Sequence, residues 1–151
     1  MSFIEPNLEL ILKYLSKLDR DQKPKWGTMN AQGMVEHLSD SIRIATGELD
    51  FKLEIPETAI PKMQAFLASE KPMPIDFKPP FVPEKIKLRN EELELAVDEF
   101  TQVWLNYEAY YANSNDAAVS HPYYGPLNYD QWQRLHAKHI THHLKQFDLL
   151  D

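Results

Sequence analysis

Between Asn90 and Ala112 the bulky apolar residues Leu93, Val97, Phe100, Trp104, Tyr107 and Tyr111 step by four, three, four, three and four. That period puts all six on one stripe of an α-helix about five turns long, and a stripe so rich in aromatic rings has to be buried against other helices. The chain supplies them. "PNLELILKYLSKLD" repeats Leu8, Ile11, Leu12, Leu15 and Leu18 at helical spacing, with Pro6 or Asn7 near its start. "WGTMNAQGMVEHLSDSIRIATGEL" offers Thr28 or Asn30 as N-cap, a stripe of Met34, Leu38, Ser41 and Ala45, and Gly47 as a stop. Asn90 is the expected cap of the aromatic helix, and Asn128 with Gln131 three residues on opens a last helix as a capping-box variant.

Seven of the 11 prolines lie between residues 51 and 90, at positions 56, 61, 72, 74, 79, 80 and 83. A proline inside a helix costs about 3 kcal/mol, so this stretch reads as an extended crossover with room for one short helix around Glu57 to Ala68. "NSND" and "SHPYYGPLN" read as a polar loop ahead of the last helix. The expected fold is therefore all-α: one domain over residues 1–151, a four-helix bundle with a long Pro-rich crossover between helices 2 and 3.

At 151 residues and 43% hydrophobic, the chain can bury about two thirds of its unfolded surface, so neither metal nor disulfide is needed merely to fold it. A formal net charge of -7 without a basic stripe argues against nucleic acid. The start "MSFIEPNLEL" lacks a basic segment followed by a long apolar run, and no segment approaches the roughly 20 apolar residues of a membrane span, so a cytoplasmic location without membrane contact is expected. There is no Cys, so any metal must be held by His and carboxylate, and any thiol must come from outside.

Four of the six histidines crowd into "HAKHITHHLKQF", His136 to Phe147. On a wheel of about 100° per residue, Trp132, His139, His143 and Gln146 fall within about 60° of one another, opposite Arg134, Thr141, Lys145 and Asp148, which are expected on the solvent side. His139 and His143 have the four-residue spacing that stacks two imidazoles one turn apart, as neighbouring ligands of a first-row metal require. The pairs His136 with His139 and His139 with His142 stay open as alternatives. A third ligand has to come from elsewhere, and His37 is the only histidine on another expected helix. Its other reading is a boundary residue packed under the crossover.

This pattern resembles the DinB/YfiT-like superfamily of four-helix-bundle metalloproteins, in which one His on the second helix joins a His-x-x-x-His pair on the last, often in a string such as HxxHHxxQ. Here that string is His139, His142, His143 and Gln146, and the second-helix match is His37 in "QGMVEHL". "HPYYGPLNYDQW" is similar to one branch of the superfamily, a small domain of unknown function. The specific likeness lies in residues 26–45 and 121–147. It implies a divalent transition metal on His37, His139 and His143, and thiol-dependent S-transferase chemistry among the superfamily's activities.

Three neutral imidazoles leave a cation its full charge and an open position, as catalytic rather than structural sites do. Zinc, nickel, iron, manganese and cobalt all suit such a site. It permits hydrolysis by activated water, or transfer of a low-molecular-weight thiol to a small-molecule substrate, which the resemblance favours. A non-enzymatic metal- or ligand-binding bundle is the competing class, and a homodimer is left open. Glu36, Asp40, His142 and Gln146 are candidates for orienting the ligand rings, His142 foremost. His142 and His121 are also pocket candidates, although His121, before Pro122, equally suits a turn. Trp26, Trp104, Tyr107, Tyr110, Tyr111 and Trp132 could line a pocket, but aromatic stripes at helical spacing are more often core.

Overall fold

The computed structural model describes residues 3–75 and 87–151. Its described residues are mostly helical: α1 (Leu8–Leu15), α2 (Ala31–Ala45), α3 (Ile60–Ala68), α4 (Leu93–Asn113) and α5 (Tyr129–Gln146). One antiparallel pair, β1 (Val119–His121) with β2 (Gly125–Leu127), lies between the last two helices in sequence. No helix of the described residues is long and apolar enough to cross a membrane.

Local chemistry accounts for most helix starts. Asn7 Oδ1 accepts the Leu10 N–H at the head of α1, and Asn30 Oδ1 accepts that of Gly33 at the head of α2. Asn128 and Gln131 form the complete capping box expected for α5. Gly47, at φ 80°, turns the chain just beyond α2. Leu18 is buried, but past the end of α1, which stops at Leu15.

Helix α2 packs on α4 and α5, α1 on α4, and α3 on α5. The aromatic stripe is buried as its period requires, with Phe100, Trp104, Tyr107 and Tyr111 inside and the Tyr111 hydroxyl donating to the Ala45 carbonyl. Gly47 aside, the α2 stripe holds at Met34, Leu38 and Ala45; Ser41 is half-buried and bonds back to the His37 carbonyl. One hydrophobic cluster runs through all these helices from Ile4 to Phe147.

Three expectations need correction. Asn90 does not cap α4, whose N-cap is Glu92 with no side-chain bond; the Asn90 amide instead donates to Glu36 and Glu99. The helix starts at Leu93, which puts Glu92 and not Asn90 at the cap position. The stretch around "SHPYYGPLN" is a short hairpin, not an irregular loop, and Trp132 donates its indole N–H to the Val119 carbonyl beneath it. Thr141 is not on a solvent face. Only 3% of it is exposed, and Lys138 is buried too, because α3 and the N-terminal segment cover that side of α5.

Of the crossover, residues 57–68 form the expected short helix, a 3-10 turn at Glu57–Ala59 leading into α3. Gln64 pins it to the hairpin through the Tyr124 and Pro126 carbonyls, and Arg134 of α5 donates to the Leu67 and Ser69 carbonyls. Prolines 79, 80 and 83 lie outside the described residues.

Candidate metal centre

Helix α2 presents His37 to α5 at the level of His139 and His143. The Nε2 atom of His139 lies 3.0 Å from the Nε2 of His37 and 3.0 Å from that of His143. One ligand atom from each residue fits within a span of 4.8 Å. The rings meet edge to face, with centroids 4.6 to 4.9 Å apart. His143 is buried, whereas His37 and His139 are half-buried.

Gln146, one turn beyond His143, fixes the polarity of this arrangement. Its Nε2 donates to the Trp26 carbonyl at 3.0 Å, which leaves its Oε1 to accept from His143 Nδ1 at 2.7 Å. A neutral His143 therefore carries its proton on Nδ1 and turns a lone pair inward from Nε2. A single proton on His139 Nε2 cannot serve both of its contacts well. Three neutral imidazoles thus leave one close nitrogen pair without a hydrogen bond, while a cation would satisfy all three lone pairs together. The spacing fits as well, since bonds of about 2.0–2.1 Å put neighbouring nitrogens of a tetrahedral site about 3.3 Å apart. The three-histidine group could hold a metal ion.

Electrostatics keeps these rings in ligand form. Burial pushes His37 down to about 4, with the Asp40 carboxylate pulling the other way and His142 adding to the drop. Burial and neighbouring imidazoles hold His139 well below its ordinary value, and burial does the same for His143 against the opposing Gln146 bond.

The other candidates are placed differently. Glu36 takes hydrogen bonds from Gln32, Asn90 and the Arg89 backbone, and Asp40 pairs with Arg43 and Arg89. Neither orients a ring of the cluster through these bonds. His142 packs 5.3 Å from the Trp26 ring and 4.9 Å from the His143 ring, and the side chain that hydrogen-bonds His143 Nδ1 is Gln146, not His142. His121 stands on β1 beside Tyr124 and Trp132, its Nδ1 accepting the Tyr123 N–H. His136 turns into the aromatic core, 4.9 Å from the Tyr107 ring, where burial pushes it down to about 3. The pairs at three-residue spacing are therefore not the ones that meet His37. Trp104, Tyr107, Tyr111 and Trp132 are core, as their helical spacing suggests.

Sequence reasoning weighed the Trp26 ring as a pocket wall but gave no role to its backbone carbonyl, which holds Gln146. A carbonyl has no residue-type signature. The nearest signal is the Gly27 that follows Trp26, at φ 78°.

A family model described as "Protein of unknown function (DUF1569)" matches residues 4–149. No curated protein and no solved structure matches the chain.

Proposed function

The chain belongs to the DUF1569 family, and from the convergence of its three imidazoles we propose that it is a metal-dependent enzyme transferring a low-molecular-weight thiol to a small electrophilic substrate. His37, His139 and His143 would hold a divalent transition ion such as zinc, nickel, iron, manganese or cobalt. When bound, such an ion supplies the positive charge that lets a thiol or a water shed its proton near neutral pH. Gln146 orients His143, and the half-buried faces of His37 and His139 leave the side from which reactants enter. The Trp26 ring packs on His142, which in turn packs on His143.

The single observation that carries the proposal is three Nε2 atoms directed at one another, two of them on half-buried residues. The absence of Cys assigns the sulfur to a co-substrate. In the transfer, the thiol sulfur bonds to the electrophilic carbon, the leaving group departs with its electron pair, and the thiol proton passes to solvent. We further read α1, α2, α4 and α5 as a four-helix bundle of the DinB/YfiT-like kind, supported by the packing of α2 on α4 and α5 and of α1 on α4.

The test is a panel of low-molecular-weight thiols with a soft electrophile and metal-loaded protein. Thiol consumption should accelerate with wild type and fall to background in His37→Ala and His143→Ala, both of which should keep a helical circular dichroism spectrum. Ester or amide hydrolysis without thiol, and no thiol consumption, would contradict the transferase reading.

A further inference from the structure

Gln146 makes three contacts that tie the cluster to the loop before α2. Its Oε1 accepts from His143 Nδ1, its Nε2 donates to the Trp26 carbonyl, and its own carbonyl accepts the Lys25 N–H at 2.7 Å. The loop it holds is shaped around it. Gly27 has φ 78°, and a Cβ there would come within 3.3 Å of Gln146 Nε2. A second tie, the Lys25–Asp148 ion pair at 2.9 Å, is largely exposed and contributes little by itself.

We propose that Gln146 is a positioning residue that sets the ligand tautomer of His143 and, through the same amide, couples occupancy of the metal centre to the seating of the 25–27 loop. This rests on the metal centre proposed above. A carboxamide is needed because it accepts at one end and donates at the other; a carboxylate can only accept, and an aliphatic side chain does neither. With Oε1 engaged, His143 Nδ1 keeps its proton and Nε2 stays free to bind. An ion that draws on the Nε2 lone pair makes Nδ1–H a stronger donor, tightening the bond to Oε1 and polarising the amide toward the Trp26 carbonyl. The loop then docks more firmly, and with it the Trp26 ring beside His142. Loading the site and seating the loop become one event.

The experiment uses the untagged full-length chain, zinc ion as the probe, and two readouts: zinc affinity by competition with a chromophoric chelator, and hydrogen exchange at the Lys25 amide. In wild type, zinc should slow Lys25 exchange. Gln146→Leu should weaken zinc binding by about 10- to 100-fold and abolish the zinc-dependent slowing. Gln146→Glu should keep zinc affinity, since the carboxylate still accepts from Nδ1, yet lose the slowing, since it cannot donate to the Trp26 carbonyl. Wild-type affinity in Gln146→Leu, or retained slowing in Gln146→Glu, would overturn the inference and leave the metal centre standing. A wild-type chain that binds no zinc would overturn the metal centre and this inference with it. If Gln146→Leu does not fold, the split expected of Gln146→Glu still decides the matter.

Discussion

Ile4 donates its backbone N–H to Thr141 Oγ1 at 2.9 Å, joining residues 137 positions apart in a buried contact. Thr141→Val keeps the side-chain volume but leaves that N–H without an acceptor. The expected cost is about 1–3 kcal/mol, read as a lower denaturant midpoint at unchanged slope. A helical wheel cannot show this contact, because it gives the direction of a side chain and not what covers that side. The same limit applied to the ring-orienting residues. His142 looked best by angle, yet Gln146 bonds to His143, because a carboxamide one turn on reaches the ring nitrogen that faces away from the cluster. The spacing of His139 and His143 was legible because a four-residue step is a property of the helix alone.

At the scale of the element, the hairpin depends on one backbone position. Gly125 has φ 70°, pairs with His121 across the ladder, and would place an added Cβ 2.8 Å from Ile60 Cδ1. Gly125→Ala therefore meets both a strained backbone and a packed side chain from α3, and should lower stability by more than about 1 kcal/mol, measured as a fall in melting temperature. "YYGP" marks a turn in the sequence, but strands of three residues are too short for alternation to show, so pairing was not readable there. Helix starts were readable where the cap is local, as at Asn7, Asn30 and Asn128. At Asn90 the reading failed: α4 starts two residues later than that cap would require, and Asn90 is tied instead to Glu36, 54 residues earlier in the chain.

For the whole molecule, buried histidines tie stability to pH. In the folded chain burial holds His37 near 4, His121 and His136 near 3, and His139 and His143 well below 6.5, whereas unfolded they titrate near 6.5. Above about 6.5 these groups are neutral in both states and contribute no pH dependence. As pH falls below that value, the unfolded chain takes up protons that the folded chain refuses. Stability should then decline by up to about 1.4 kcal/mol per pH unit for each histidine, and a urea midpoint series on metal-free protein from neutral to about pH 5 checks it. The low titration points of these histidines follow from how α2, α3 and the hairpin pack around α5. Four amphipathic stripes foretell a helical core, but they do not say which helices face each other. His37 and His139 are 102 residues apart, and only the packing of α2 on α5 brings them to 3.0 Å. The most direct test is the metal content of untagged protein after exchange with zinc, nickel, iron, manganese or cobalt. The expected result is about one ion per chain, lost in His139→Ala, whose ring stands between the other two. A wild-type chain that retains no metal, or a His139→Ala variant that retains as much as wild type, would contradict a centre built on His37, His139 and His143.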